Sequence, residues 1–591
     1  MVVIFPWNKD TGTDFKRDEL LLQTNIIQLE CDLPVGYRRG RDLRDRQIRY
    51  FPPLAQMRIY DVRKSNDEDH RRNVENGREN IENNRESNWN DQTNNGFHQT
   101  SNRIHQASTA GVHHSAAASL YYYPVSAHTT SAAYTNRHSP GILPEYDPGC
   151  VRRAYRHYNQ FRCYPQAFTE YDYCESMASP ASRRLYHQAR EELECGGRVR
   201  SHVQPFTKIE KMATSKYKAP RLIQARHISF NIKYGRFIKA LEHRLTKNHK
   251  HSVNFGKGNY NELAHRIMTL AKKYTHYTEL DHKSFDAHVT VDMLKNNTKF
   301  YAQCYPGHAD EIRKYGRAQL NNKCVTRNGD RWTIKGTVMS GDVTTSIGNC
   351  LINYSIIKES LRMLKIKGDV LVNGDDCIIF TNCPIPREFE SILRKFNMEA
   401  TIGNTSTDIH NIEFCRAKVI LNDLGQYTMM INPERLEQIF GMTYNNIPSY
   451  QDYLLEVIQC NACINKSNPI GAMWFDLYNR LVKNVHNKNY QFIKNINEIN
   501  PKKFKNIARP LLRTVLKNEK TLACSGEITQ SSIIAYPSIL THSKKLDKIF
   551  YKIRLLYMIY PERLSSQYLY ETPLPTRTLI IDHAIRTIQG Y

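Results

Sequence analysis

The sequence predicts a protein of the α+β class, with helices flanking an antiparallel sheet and a largely disordered N-terminal extension. Apolar runs around Val370 and Ile378, separated by a short polar turn, are typical of two buried strands in a hairpin. The segments 180–193 and 235–245 are candidate helices. Residues 62–106, in contrast, hold only six large hydrophobic side chains. These features together predict a globular body that follows a polar N-terminal extension.

The first 145 residues are predicted to form the extension. Residues 62–106 carry too little apolar surface to offset the entropy of ordering the chain, so we expect them to be disordered. Residues 107–145 are rich in Ala, Ser, Tyr and His, which predicts a linker. An arginine cluster at 38–49 (RRGRDLRDRQIR) suggests that the extension tethers the chain to a membrane or to partner proteins.

The charge of the chain points to a polyanionic partner. Its 591 residues include 83 Lys and Arg against 58 Asp and Glu, a formal net charge of +25. Such an excess favours phosphate backbones, whose counterions basic side chains release, or an anionic membrane surface. Residues 480–520 hold 11 basic and two acidic residues. That stretch is either a solvated face or a wall that faces RNA.

The cysteines and the apolar runs restrict the cellular setting. The 14 cysteines are scattered and the N-terminus lacks a secretory pattern, which favours a reducing, cytosolic setting. No apolar run approaches the roughly 18 residues needed to span a bilayer. Cys460 and Cys463 form a C-x2-C pair without a second pair, so helical core cysteines are the expectation and structural zinc the alternative.

The segment 370–380 (VLVNGDDCIIF) holds two consecutive carboxylates. Apolar residues on both sides predict a hairpin with Gly374 and Asp375 at the turn, followed by Asp376. Two carboxylates on a tight turn between buried strands are costly without a cation nearby, and a divalent metal would compensate them. The alternative is an ordinary surface turn, in which Asp and Gly are common.

The segment 278–289 (TELDHKSFDAHV) adds two aspartates five residues apart. Asp281 is predicted to end a strand and to face the hairpin, where Asp281 and Asp375 would bridge two Mg²⁺ ions. Asp286 begins a predicted helix and could accept a hydrogen bond from a ribose hydroxyl. The alternative is a helix N-cap role for Ser284 and Asp286.

The segment 339–350 (MSGDVTTSIGNC) has the spacing S-G-x3-T-x3-N. Gly341 permits an unusual loop after Ser340, and the residues that follow can open a helix. Thr345 and Asn349 are four residues apart and share a helix face. Short polar groups beside a metal site suit recognition of a ribose 2′-hydroxyl. The alternative is a capped helix with buried polar contacts.

A basic segment lies upstream, at 207–226 (TKIEKMATSKYKAPRLIQAR). Cations on a strand or an extended loop could neutralise an incoming triphosphate. The alternative is a solvated basic loop. The basic residues of the segment are Lys208, Lys211, Lys216, Lys218, Arg221 and Arg226.

Along the chain the four segments run as basic segment, D-x4-D, S-G-x3-T-x3-N and then G-D-D. In that order they resemble the RNA-dependent RNA polymerases of positive-strand RNA viruses, especially the tombusvirus-like and related flavi-like groups. The resemblance is carried by KAPRLIQAR, LDHKSFDAHV, MSGDVTTSIGNCLIN and VNGDDCIIF, with IEFCRAKVI at 412–420 after them. It covers about 207–440, fades towards the C-terminus and is absent before about Tyr146.

The resemblance implies a right-hand polymerase of fingers, palm and thumb, with an antiparallel palm sheet flanked by helices. The implied division is an extension at 1–145, fingers at 146–274, palm at 275–296, a return of the fingers at 297–335, palm at 336–425, and thumb with the C-terminal region at 426–591. Residues 412–420 would form the hairpin that grips the primer.

The resemblance also implies roles for single residues. Asp281, Asp375 and Asp376 match the metal-binding and catalytic aspartates, with two Mg²⁺ ions as cofactors and Mn²⁺ as a substitute. Lys395 is the candidate proton donor to pyrophosphate. The nucleotide-binding residues implied are Lys208, Lys211, Lys218, Arg221, Arg226, Asp286, Ser340, Gly341, Thr345 and Asn349. Among these, Asp286 and Asn349 match the ribose-sensing pair.

The function expected from the sequence is template-directed RNA synthesis that replicates and transcribes a viral genome. The expected partners are RNA template, nascent RNA, nucleoside triphosphates, other viral replication proteins and a host membrane surface. The expected location is the host cytoplasm, at membrane-associated replication sites. Two alternatives stay open: a reverse transcriptase, which also uses a double-aspartate turn, and a non-catalytic scaffold that binds RNA.

Overall fold

The structure, a computed structural model, describes most of the chain after residue 140. The described residues are 141–208, 219–327, 329–440, 450–483, 492–500, 509–518 and 526–548, with 27–30, 58–61, 120–121, 127–137, 212–213, 504 and 507. Residues 62–106, predicted to be disordered, lie outside the described part.

Helices make up much of this body. The α-helices are α1 (Ala127–Arg137), α2 (Pro148–Ala154), α3 (Glu170–Glu175), α4 (Pro180–Glu194), α5 (Ile228–Lys247), α6 (Tyr260–Ala271), α7 (Phe285–His288), α8 (Val291–Cys304), α9 (Ala309–Leu320), α10 (Thr345–Met363), α11 (Glu388–Arg394), α12 (Pro433–Ile439), α13 (Tyr450–Ile464), α14 (Pro469–Lys483), α15 (Arg509–Asn518) and α16 (Gln530–Ala535). Short 3-10 helices cover Tyr155–Phe161, Ser252–Asn254, Pro306–His308, Ile409–Asn411 and Ile496–Glu498. The candidate helices at 180–193 and 235–245 are confirmed as α4 and part of α5.

The strands form small, mainly antiparallel sheets. They are β1 (Ile27–Glu30), β2 (Arg58–Asp61), β3 (Leu120–Tyr121), β4 (Val203–Thr207), β5 (Met212–Ala213), β6 (Leu222–Arg226), β7 (His276–His282), β8 (Asn321–Val325), β9 (Arg331–Lys335), β10 (Gly368–Asn373), β11 (Asp376–Thr381), β12 (Ala400–Ser406), β13 (Glu413–Phe414), β14 (Ala417–Leu421) and β15 (Tyr427–Ile431). The sheet orders are β1-β2, β3-β5, β6-β4-β8-β9, β10-β11-β7-β12 and β13-β14-β15. The pairing of β4 with β8 is parallel. The prediction of an α+β protein with antiparallel sheets is confirmed.

The sheet β10-β11-β7-β12 lies between two hydrophobic cores. Alternate residues of its hairpin point to opposite faces, as strand geometry requires. Val370 and Ile379 pack into one core, whereas Leu371 and Ile378 pack into the other. Both faces of the hairpin are covered, and its strands are accordingly apolar at 370–372 and 377–380. At the turn between the strands, Asp375 and Asp376 are exposed at one edge of this buried sheet.

Helix α10 passes through the larger core. Nearly all of its residues are buried, including Asn349, Asn353 and Glu359. A helix buried on every side belongs to the interior of a domain. The Glu359 carboxylate pairs with Arg156, at 2.6 Å, and with Arg362, at 2.8 Å. The pair with Arg156 joins the C-terminal half of α10 to the segment that follows α2, whereas the pair with Arg362 lies within α10.

A second core lies in the C-terminal part of the chain. Trp474 on α14 is fully buried among residues of α12, α13 and the segment 526–548. The Trp474 Nε1 donates to His542 Nε2 at 3.2 Å, and His542 Nδ1 contacts Glu437 Oε1 at 2.7 Å. Cys460, buried in α13, is a helical core cysteine as predicted. In the described residues, no helix combines the length and apolarity needed to cross a bilayer.

The prediction of a linker at 107–145 is wrong for α1. Tyr134 of α1 is buried against Trp332, with 5.3 Å between ring centroids. Thr130 contacts Thr207 of β4, with 3.2 Å between their hydroxyl oxygens. The alanine- and serine-rich composition of this segment gave no apolar stripe from which a helix could be predicted. The helix α1 is stabilised instead by its tertiary packing.

Candidate active site

Three aspartates lie at the same end of the four-stranded sheet. Strands β7 and β11 pair antiparallel, with Leu280 opposite Cys377. Asp281 follows Leu280 and Asp376 precedes Cys377, so both aspartates lie at the same end of this strand pair. Asp375 precedes Asp376 by one residue, roughly 4 Å along the chain. All three aspartates are exposed, whereas Leu280 and Cys377 are buried.

The predicted hairpin is confirmed, with β10 and β11 paired from Gly368 opposite Thr381 to Asn373 opposite Asp376. Gly374 has φ +72°, a left-handed conformation that glycine adopts without strain. Its amide nitrogen lies 3.1 Å from Cys350 Sγ on α10. The turn therefore contacts α10 through Cys350, and Asp375 and Asp376 are exposed to solvent.

Electrostatic effects show that the acidic side chains share one environment. Desolvation by the surrounding protein raises the pKa of Asp376, although part of the residue is accessible to solvent, and the charges of Asp375 and Asp281 raise it further. A hydrogen bond with Cys415 and the charge of Arg416 oppose this rise. Like charges crowded in this way favour a cation among them.

The chemistry of these donors fits a divalent cation such as Mg²⁺. Carboxylate oxygens are the ligands that this hard cation prefers, and its charge would relieve the repulsion that raises the pKa of Asp376. Across the described ranges, no three His, Cys, Asp or Glu side chains are already gathered at ligating distances.

Asp286 and Asn349, predicted to act together, are in direct contact. The Asn349 Nδ2 donates to Asp286 Oδ1 at 2.5 Å. Burial raises the pKa of Asp286 to about 7; the Asn349 hydrogen bond lowers it, while the charges of Asp375 and Asp342 add to the rise. Ser284 makes no side-chain capping bond at α7, so the alternative of an N-cap is not favoured.

The loop before α10 is pinned to strand β6. The Ser340 Oγ accepts a hydrogen bond from the Gln224 amide at 2.9 Å, and the Gly341 amide donates to the Gln224 carbonyl at 3.0 Å. A Cβ at Gly341 would lie only 2.6 Å from that carbonyl oxygen, so only glycine fits. The Thr345 hydroxyl donates to the Met339 carbonyl at 2.8 Å and closes the loop.

The basic segment divides into buried and surface positions. Arg226 is buried and pairs with Asp342, and its guanidinium also donates to the Ser201 carbonyl at 2.7 Å. The positive charge of Arg226 is thus paired inside the protein with Asp342, the residue that follows Gly341. Arg221 is half-buried, and its carbonyl accepts from the Lys208 amide at 2.8 Å. Lys211, Lys216 and Lys218 lie outside the described residues.

Lys395 lies at the C-terminal end of α11, away from the contacts of the aspartates. Its carbonyl accepts a hydrogen bond from the Asp147 amide at 2.8 Å, and its charge acts on Cys150. The neighbouring Arg394 pairs with Glu145 at 2.8 Å. The structure thus associates Lys395 with the segment before α2, and its role as a proton donor stays a prediction.

Sequence reasoning missed three residues around the turn. Asn353 of α10 donates to the turn carbonyls, and its spacing of four residues from Asn349 was an available signal. Lys257 follows Gly256, whose amide donates to the Val372 carbonyl at 2.7 Å, so it lies along the edge of β10. No sequence pattern pointed to Lys257. Arg416, at φ +65°, brings its charge to Asp376.

The fold and this arrangement define a class of protein. The described fold is similar to a solved structure, a Sicinivirus 3Dpol RNA dependent RNA polymerase, with a TM-score of 0.50 and 17% sequence identity over 63% of this chain and 89% of that one. Identity this low supports the shared fold alone. The described residues therefore share the fold of that structure.

Sequence comparison gives the family. A family model described as viral RNA dependent RNA polymerase matches residues 93–521, and the chain belongs to this family. The resemblance drawn from the motifs is confirmed. The expectation that the resemblance is absent before about Tyr146 is wrong, because the match begins at residue 93.

Several plant-virus proteins are similar to this chain. The RNA-directed RNA polymerase of Oat chlorotic stunt virus is 28% identical over 327 residues, which cover 50% of this chain and 43% of the relative. That of Red clover necrotic mosaic virus is 28% identical over 324 residues, 51% of this chain and 42% of the relative. That of Turnip crinkle virus is 31% identical over 267 residues, 42% and 34%. The chain spans less than half the length of these relatives.

Proposed function

We propose that this chain is an RNA-directed RNA polymerase that copies a positive-strand RNA virus genome by nucleotidyl transfer. The observation that supports the proposal is the register of β7 and β11, in which Leu280 lies opposite Cys377 and the neighbouring Asp281 and Asp376 lie at the same end of the sheet. Membership of the viral polymerase family supports the same activity. The substrates would be nucleoside triphosphates and an RNA template with its growing strand.

The proposed chemistry uses the acidic set as a cation site. Asp281, Asp375 and Asp376 would hold a pair of divalent cations. When bound, such a pair lowers the pKa of the attacking 3′-hydroxyl and stabilises the leaving oxygen. The aspartates fix where the two reacting groups meet, so most of the rate would come from positioning and electrostatics.

Ribonucleotide selection is proposed for Asp286 and Asn349. The 2.5 Å hydrogen bond between them orients a carboxylate and an amide together, and a 2′-hydroxyl can both donate to the former and accept from the latter. The loop of Ser340 and Gly341 would set the height of this pair above the sheet. Arg221 and Lys208 are proposed to contact the triphosphate.

The division into fingers, palm and thumb is part of the proposal. The four-stranded sheet with α10 would be the palm, over 275–296 and 336–425. Fingers would occupy 146–274 and 297–335, and the thumb would begin at 426. The β13–β14 hairpin would grip the primer strand, and its contact between Asn373 and Cys415, at 3.1 Å, joins it to the acidic turn.

A primer-extension assay tests the proposal. The full chain, an RNA template and an RNA primer are incubated with Mg²⁺ and either ribo- or deoxyribonucleotides, and RNA affinity is measured in parallel. We expect extension with ribonucleotides, and its loss in Asp375→Ala at unchanged RNA affinity. Efficient use of deoxyribonucleotides would favour the reverse transcriptase. Binding of RNA without extension by the wild-type chain would favour the scaffold.

A tether role is proposed for the N-terminal region, motivated by the arginine cluster at 38–49. Its partner would be a host membrane surface or another viral replication protein, at replication sites in the host cytoplasm. Flotation of the full chain with anionic vesicles, compared with a chain that lacks residues 1–60, tests the membrane version. Equal flotation of the two chains would contradict it.

A further inference from the structure

Asn353 joins two segments that carry the acidic side chains. It is fully buried on α10, one turn after Asn349. Its Nδ2 lies 3.0 Å from the Gly374 carbonyl oxygen and 3.0 Å from that of Asp375. Its Oδ1 lies 3.0 Å from His282 Nε2, on the residue that follows Asp281. One side chain therefore touches both the turn and strand β7.

The chemistry of the groups fixes the orientation of this amide. Backbone carbonyl oxygens can only accept, so the nitrogen of Asn353 must face Gly374 and Asp375. The amide oxygen then faces His282, whose Nε2 must carry a proton and donate. Reversing the amide would set oxygen against two carbonyl oxygens. The three hydrogen bonds are mutually consistent in one arrangement only.

We infer that Asn353 is a positioning residue, which fixes the separation of Asp375 from Asp281 for the nucleotidyl transfer proposed above, on which this inference rests. The carbonyls at a two-residue turn have no partner within the strand ladder, and the aspartates on the turn repel each other. Asn353 satisfies both carbonyls and couples them through His282 to the strand of Asp281. It touches no reacting atom in this arrangement.

A second buried asparagine supplies the matched control. Asn297 also donates to the α10 backbone, to the Gly348 carbonyl at 3.3 Å, and accepts from the Tyr158 hydroxyl at 2.7 Å. It is 4% exposed and has no contact with the turn. Asn297→Ala therefore removes a comparable buried amide, one that lies on α8 and bonds to α10, while the hydrogen bonds of Asn353 stay in place.

The experiment compares wild type, Asn353→Asp, Asn353→Ala and Asn297→Ala as full chains. Measurements are kcat and KM for ribonucleotide incorporation, Mn²⁺ affinity by electron paramagnetic resonance without RNA or nucleotide, RNA affinity and the melting temperature. In both Asn353 variants we expect kcat to fall roughly 10- to 100-fold while KM changes little. We expect Mn²⁺ affinity to fall by roughly 10- to 100-fold, as for loss of other outer-shell partners. In Asn297→Ala only the melting temperature should fall.

Asn353 variants with wild-type kcat and Mn²⁺ affinity, or losses no larger than those of Asn297→Ala, would overturn the inference. If the Asn353 variants do not fold at the assay temperature, His282→Gln and His282→Leu decide. Gln can still donate to Asn353 and should retain Mn²⁺ affinity, whereas Leu should lose it, and equal affinities would overturn the role of this link. A wild-type chain that makes no RNA would refute the polymerase proposal, while the Mn²⁺ comparison would still decide the role of Asn353.

Discussion

Replacing Gly341 with alanine should impair catalysis through a displacement that the structure allows to be worked out. The new Cβ would lie 2.6 Å from the Gln224 carbonyl oxygen, against about 3.4 Å for ordinary contact, a shortfall of about 0.8 Å. A second backbone atom, the Ala225 Cα, would lie at 2.8 Å. Neither atom can rotate away, so the loop must lift from β6 by most of that distance.

The lifted loop carries the first turn of α10 with it. The Thr345 hydroxyl is bound to the Met339 carbonyl inside this loop, and Asn349 lies one turn further along. A misplacement near 1 Å can reduce the rate of an enzyme by roughly 100-fold. We therefore expect kcat for ribonucleotide incorporation to fall roughly 10- to 100-fold in Gly341→Ala, and the preference for ribo- over deoxyribonucleotides to fall with it.

Steady-state primer extension measures both effects, with RNA affinity as a check on the fold. Gly307→Ala is the matched control, because no atom lies within 4 Å of a Cβ at that position. The control should behave as wild type. If Gly341→Ala also kept wild-type kcat and selectivity, the claim that this close backbone approach positions the ribose-selecting pair would be refuted.

Three further perturbations have defined outcomes. In Glu359, burial alone would raise the pKa, but hydrogen bonds from Arg362, Arg156 and His157 outweigh it and lower the pKa to about 2. The ionised Glu359 therefore contributes about 1 to 3 kcal/mol to the free energy of unfolding above pH ~4.5, after allowing for half-exposed arginines, and this contribution is lost as the pH falls towards 2. The urea midpoints of Glu359→Gln and wild type should therefore converge at low pH. A difference between the midpoints that stays constant with pH would contradict this. Arg226→Gln should lower the free energy of unfolding by about 3 to 5 kcal/mol, because Asp342 then stays buried without its cation, and an unchanged denaturation curve would argue against this. Removing residues 1–110 should spare primer extension. Removing residues 1–140 should lower the melting temperature, because α1 is lost. Equal melting temperatures of the two truncated chains would show that α1 does not stabilise the body.

The local parts of this site follow from sequence periodicity. Short apolar runs on both sides of Gly374 and Asp375 predict the hairpin, and a spacing of four predicts that Thr345 and Asn349 share a helix face. The structure has both. Such patterns depend on neighbours a few residues apart, so they can be found in a single sequence.

Contacts between distant segments could not be found in this way. Arg226 and Asp342 are 116 residues apart, and nothing in either segment shows that they pair in the interior. The same limit explains α1, whose polar helix is stabilised by Thr207 of β4 and by Trp332. Tertiary packing decides these positions, and its partners lie far away in the chain.

The most direct test of the central claim is the anomalous X-ray signal of Mn²⁺ in crystals of the chain with RNA and a non-reactive nucleotide. The account predicts two peaks roughly 4 Å apart, bridged by Asp281 and Asp375. Peaks elsewhere, or carboxylates more than about 10 Å apart and so beyond the reach of bridging ions, would contradict it.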